Sequence, residues 1–206
     1  MIRPRALSQT AALNIMIVDD TPDRAALLEQ GLTDAGHNVL VHLRRPYDLL
    51  REVREHQPDV IIIEVESPDR DTLEHICIVS RDDPKPVVIF AEKSEDHTIR
   101  EALRAGVSAY VVDGIDRSRV QFIVQVAVAR FREYQALREE LEHAKTTLAE
   151  NKVIDRAKGI IMHQRRCSEQ QAYALLRKLA MDQNKRIAEV AGNLVSVALV
   201  LGDGYS

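Results

Sequence analysis

The sequence predicts an α/β protein: a doubly wound parallel sheet, followed by a long helix and a small three-helix bundle. Three observations carry this. Five short, almost continuously apolar runs alternate with helical patterns between residues 14 and 115. No glycine or proline occurs from 115 to 158, which predicts one very long helical stretch. Beyond it the pattern stays helical, with an excess of lysine and arginine.

Taken in order, residues 1–13 (MIRPRALSQTAAL) lack the apolar core of a signal peptide and are expected to form a flexible N-terminus. NIMIV (14–18) is the first strand and ends at Asp19–Asp20. The helix TPDRAALLEQGLTDAG follows, with Thr21 as N-cap, Pro22 at N1 and Gly36 at its end. Strand NVLVH (38–42), a helix through YDLLREVREH and strand VIIIEV (60–65) come next. A helix around TLEHICIVSR, strand VVIFA (87–91), a helix through DHTIREALRAG and strand AYVV (109–112) complete a flavodoxin-like (βα)5 domain over 14–115. Such an order places a ligand site at the carboxyl ends of the strands, where Asp19, Asp20 and Glu64 lie.

Residues 116–151 are expected to be a linker and dimerisation helix. Tyr134, Leu137, Leu141, Ala144 and Leu148 step by 3, 4, 3 and 4, the spacing of a two-stranded coiled-coil seam. The same stripe could instead pack along its own domain, but the helix outruns the sheet, which favours a homodimer. Residues 152–206 form the bundle. Its helix SEQQAYALLRKLAMDQN has Ser168 as N-cap and Gln171 placed to complete a capping box.

Composition narrows the class. The chain has 45% hydrophobic and 29% charged residues, no tryptophan and no apolar run of membrane-spanning length. Cys77 and Cys167 stand apart without metal spacing, and the seven histidines form no zinc pattern, which fits ordinary thiols in a reducing cytoplasm. Residues 151–206 hold nine Lys/Arg against five Asp/Glu, a charge of +4, whereas 1–150 carries −8. An acidic front and a basic back suggest that one half meets a polyanion.

Two constellations carry chemistry. Asp19, Asp20 and Glu64 converge at adjacent strand ends and suit a hard cation such as Mg2+. The same acids also suit a helix N-terminus, and spacing does not separate the two. VDD after the first strand and PDVIIIEVESPD after the third resemble the receiver domain of two-component response regulators. In that family two acids hold Mg2+ and an aspartate accepts a phosphoryl group. Glu64 occupies the acceptor position, Ala91 that of the switch hydroxyl, and Asp113 that of the lysine. Glutamate extends its carboxylate one methylene further, imitating the charged state with one charge against nearly two. The resemblance, with these departures, implies a pseudo-receiver that binds a protein and is not switched by phosphorylation. No cofactor is required, although Mg2+ suits the pocket.

The second constellation is basic. Lys158, Arg165, Arg166, Arg177, Lys178, Lys185 and Arg186 are expected to hold phosphates, with Tyr173 and Asn184 as contacts to bases or loops. A tyrosine between Ala172 and Ala174 also suits a position tucked into the bundle, and that placement is slightly favoured. The run AKGIIMHQRRCSEQQAYALLRKLAMDQNKRIAEVA resembles the ANTAR domain, an RNA-binding module of transcription antiterminators. With the receiver-like part and the helix between, the whole chain is similar to the AmiR/NasT family. AYVVDG and ESPDRDTLE lean to its NasT branch, regulators of nitrate and nitrite assimilation. The resemblance implies binding to paired leader-mRNA hairpins, a nitrate- or nitrite-sensing protein partner, and a homodimer. Ala157 and Ala172 match family positions that permit close helix approach. The competing readings are a DNA-binding response regulator and an interaction scaffold without nucleic acid. An enzyme is disfavoured, since no nucleophile–base pair or phosphate loop appears.

Overall fold

The computed structural model describes residues 12–19, 21–44, 48–112 and 117–200. Asp20 and Asp113, both singled out above, lie outside the described residues, as do 1–11 of the expected flexible N-terminus. Contacts divide the chain into two compact units, 1–135 and 136–206.

In the first unit, β1 (Asn14–Asp19), β2 (Asn38–Leu43), β3 (Val60–Val65), β4 (Val87–Ala91) and β5 (Ala109–Val112) form one sheet in the order β2-β1-β3-β4-β5. Every pairing is parallel. The central strands are rich in Ile and Val because both their faces are covered: Ile61, Ile62 and Ile63 are all fully buried. Alternation sends Met16, Val18, Ile61, Ile63 and Ile89 to one core layer, and Ile15, Ile17, Ile62, Val88 and Phe90 to the other.

The helices of this unit are α1 (Pro22–Asp34), α2 (Leu49–His56), α3 (Arg70–Asp82) and α4 (Asp96–Ala105). Thr21 is the extended N-cap of α1, with Pro22 in its first turn. Asp69 caps α3, its side chain accepting from Thr72 N–H at 2.8 Å; hydrogen bonding from the Thr72 side chain first, and from this N–H second, holds the Asp69 carboxyl below its usual pKa. Gly106 ends α4 at φ 105°, and a Cβ there would stand 2.2 Å from Ser80 Oγ, so both backbone and space demand glycine.

The long helix α5 (Arg117–Arg165) runs for 49 residues without a break at 151–152. Its early part packs on the sheet through Val120, Val124 and Ala127. Its last turns are the first helix of the second unit, which α6 (Glu169–Asp182) and α7 (Ile187–Val200) complete. Ala157, Ile161, Ala172, Leu176, Ala180, Val190 and Ala191 form that core, and the two alanines expected to allow close approach are fully buried in it.

Candidate functional site

The acidic edge lies where the chain order reverses, between β1 and β3, the crevice where doubly wound sheets hold ligands. Asp19 and Glu64 are register partners there, 1% and 5% exposed. Asp19 Oδ1 accepts from Thr21 N–H at 2.7 Å, turning the chain into α1, and His42 Nε2 lies 3.2 Å from the Asp19 carbonyl oxygen. Two adjacent carboxylates under little water repel each other, and an oxygen-only pair suits a hard divalent cation that offsets this. Asp19 and Glu64 would hold Mg2+ on these grounds. Ala91 ends β4 in register with Val65 and Val112, and its methyl is buried.

Beyond the strand ends, the loops after β3 and β4 remain joined. Glu92 N–H donates to the Val65 carbonyl at 3.3 Å and Lys93 N–H to that of Glu66 at 3.1 Å. Lys93 Nζ also pairs with Glu66 Oε1 at 3.2 Å. Sequence spacing did not reveal this loop pairing, because it depends on the β3–β4 register.

In the bundle, both halves of the capping box at Ser168 and Gln171 form. The cap fixes the phase of α6, turning Ala172, Leu176 and Ala180 inward. Tyr173 therefore points outward at 45% exposure, which corrects the expectation that it tucks into the bundle: Ala172 takes the inward place. Arg177, one turn on, and Lys178 are exposed as well.

The remaining cations divide. Lys158 Nζ reaches Asp155 at 2.7 Å and Glu169 at 2.5 Å, and these hydrogen bonds raise its pKa to about 12. Lys185 pairs with Glu189 at 3.1 Å and Arg186 with Glu150 at 2.7 Å. Arg165 is the last residue of α5, and Arg166 follows it with left-handed backbone, φ 48°; both are exposed. Asn184 also adopts left-handed backbone, φ 51°, in the α6–α7 turn, a conformation asparagine tolerates better than most residues. A groove of about 380 Å³ among the three helices, missed from sequence, sets the amides of Gln164, Gln183 and Asn193 around apolar residues such as Leu179 and Leu194.

On the long helix, Tyr134, Leu137, Leu141 and Leu148 are 54–62% exposed, and Ala144 is exposed too. Among the described residues, no helix is long and apolar enough to cross a membrane.

A five-stranded parallel sheet with an acid pair at its switch point has the architecture of a receiver domain, and the comparisons agree. The response regulator receiver domain model matches residues 15–125, and the ANTAR domain model matches 142–195. The chain belongs to the response regulators in which a receiver is followed by an ANTAR domain, the AmiR/NasT arrangement. It is 27% identical over 179 residues to the transcriptional regulatory protein PdtaR of Mycobacterium tuberculosis, covering 85% of this chain and 87% of that one. It is 42% identical over 65 residues to the nitrate regulatory protein of Klebsiella oxytoca, covering 32% of this chain but only 16% of that one. Among solved structures, the signal receiver domain of a modulated diguanylate cyclase from Desulfovibrio desulfuricans superposes with a TM-score of 0.53 at 17% identity, over 60% of this chain and 98% of that one. The receiver domain of NarL from Mycobacterium tuberculosis gives 0.52 at 19% identity, over 58% and 98%. These last two support the fold alone.

Proposed function

We propose that this protein is a cytoplasmic transcription antiterminator that binds paired hairpins in a leader mRNA through its bundle. The observation that carries this reading is the exposed Tyr173–Arg177–Lys178 strip on α6, inside the ANTAR match. Arginine and lysine hold phosphates there, and the tyrosine ring offers a face on which an unpaired base stacks. Arg165 and Arg166 extend the cationic surface. Lys158, Lys185 and Arg186 must exchange a protein carboxylate for a phosphate to take part, and so contribute less. Asn184 contributes by shaping the turn.

The receiver acts as a protein-binding scaffold and not as a phosphorylation switch. The methyl of Ala91 and the glutamate at position 64 support this, together with Asp113 by its place in the sequence. Mg2+ binding at Asp19, Asp20 and Glu64 would steady the acid edge without driving a reaction. Partial similarity to a nitrate regulatory protein supports control of nitrate or nitrite assimilation genes, with a nitrate- or nitrite-sensing protein as the partner. The exposed seam on α5 supports a homodimer.

The test is binding of the full chain to a two-hairpin leader RNA and to duplex DNA of equal charge, each at two salt concentrations. RNA binding that survives the higher salt and is lost in loop variants is expected. Equal, salt-labile binding to both would leave only nonspecific charge and overturn the reading.

A further inference from the structure

One face of the bundle holds no charge. The groove of about 380 Å³ between the last turns of α5, α6 and α7 is lined by apolar side chains and amides, and among the described residues none that lines it is charged. Leu179, Leu194 and Val197 are among its walls, and Leu179 and Val197 are 40% and 56% exposed, so those walls stand open to water. Gln164, Gln183 and Asn193 each bring a side-chain amide, which can both donate and accept. Sites for small organic groups combine these two features, in clefts of about 300–1,000 Å³.

The chemistry of the lining selects the occupant. A phosphate would meet no cation in it. An aliphatic side chain would strip water from the amides and return no hydrogen bond. A heteroaromatic ring meets both needs, because its faces pack on apolar side chains and its edge pairs with amides. Proteins hold an unstacked nucleobase in this way, and Asn and Gln are among the side chains that pair with base edges. The groove also adjoins the cationic strip. Around α6, at roughly 100° per residue, Lys178 stands about 100° from Arg177 and Leu179 about 200°. The exposed Lys178 therefore lies between Arg177 and the groove wall.

We infer that this groove is a nucleobase site: the ring packs against Leu179, Leu194 and Val197, and its edge is read by the amides of Gln164, Gln183 and Asn193. Two sources supply such a base, an unpaired loop nucleotide of a hairpin and a free nucleoside. The first rests on the RNA-binding function proposed above, and the second does not. The loop is the expected source, because a backbone held at Arg177 and Lys178 is led towards the groove. The groove would then tell one loop base from another, whereas phosphate contacts on the strip carry no sequence information.

Two experiments on the full chain separate the sources. In the first, each loop nucleotide of the two-hairpin RNA is made abasic in turn, and affinity is measured for the parent and for Gln183→Leu with Asn193→Leu. One abasic position is expected to weaken the parent about tenfold. The same change should alter the double variant by less than about twofold, since that variant has already lost the contact. Asn193→Ala alone repeats the measurement if the double variant loses its thermal unfolding transition. In the second, adenosine, guanosine, cytidine and uridine are titrated into the isotope-labelled parent, and the side-chain amide resonances of Gln183 and Asn193 are followed by NMR. Saturable shifts without a coupled loop position would assign the groove to a free nucleoside. Neither coupling nor shifts would overturn the inference, and hairpin binding that still weakens in Tyr173→Ala would leave the RNA-binding function standing. A chain that binds no hairpin would remove that function, and the nucleoside titration alone would then decide.

Discussion

At the mouth of the sheet Asp19 and Glu64 are 1% and 5% exposed, whereas on the bundle Tyr173 is 45% exposed and Arg165, Arg166, Arg177 and Lys178 all face solvent. The two surfaces handle charge in opposite ways. The sheet holds its carboxylates in the crevice at its switch point, and a neighbouring strand ends in the buried methyl of Ala91. The bundle keeps its core small, with alanines at 157, 172 and 180, and so leaves its cations and one aromatic ring outside. On the function proposed above, the receiver keeps the acids of a receiver site without the groups that would read a phosphoryl group. The ANTAR unit needs no reaction, only a displayed surface.

The largest expected effect breaks the scaffold side. Phe90 is 1% exposed and its strand lies beside Glu64. Phe90→Ala should cost about 3–5 kcal/mol of stability, measured by urea unfolding, because the sheet cannot collapse around the lost ring. On the display side, Tyr173→Ala should leave stability nearly unchanged and weaken hairpin binding by about 1–3 kcal/mol, with Tyr173→Phe close to the parent. A large stability loss in Tyr173→Ala would return this residue to the core and weaken the contrast.

Two cations of the same bundle sharpen the comparison further. Arg177→Ala should reduce the slope of log affinity against log salt by about 0.7–0.9, the effect of one lost phosphate contact. Lys158→Met should change the slope little, because Asp155 and Glu169 already hold that ammonium. Equal slope changes would mean that RNA draws Lys158 away from both carboxylates.

Most of the fold was legible because period and punctuation reported it directly. The apolar runs gave the strands, and Ser168 and Gln171 gave a helix start. What sequence could not supply was phase and partnership. For Tyr173 both a base contact and an inward place suit the sequence, the inward one slightly more because an aromatic between two alanines suits a small core, yet the capping box rotates Ala172 inward in its place. Lys158 counted as a phosphate ligand by charge alone, since its bond to Glu169 crosses a helix connection that spacing does not measure. The left-handed backbone of Asn184, which shapes the α6–α7 turn, is likewise not legible from spacing.

A smaller effect concerns pH and the scaffold alone. His37 is 4% exposed, its Nδ1 accepts from Leu13 N–H at 3.3 Å, and burial lowers its pKa below 6.5. The unfolded chain therefore takes up this proton at higher pH than the folded one. The His37 contribution is complete above about pH 6.5 and is lost as pH falls through that value towards the lower folded pKa. Thermal unfolding from pH 7.5 to 5.5 should show this loss, and His37→Gln should flatten it.

The smallest expected effect is none. Glu64→Asp restores the acceptor type at a site where Ala91 still lacks a hydroxyl. The test offers acetyl phosphate to both chains with Mg2+ present. The parent should form no stable adduct, because the glutamate side chain already reaches into the space an aspartyl phosphate would occupy. The aspartate variant can accept the group, yet hairpin affinity should stay the same within twofold, since nothing at the β4 end converts the adduct into movement. A change of tenfold, about 1.4 kcal/mol, would mean that the receiver still transmits charge at position 64 to the bundle. The glutamate would then be a setting of the switch and not a relic of it.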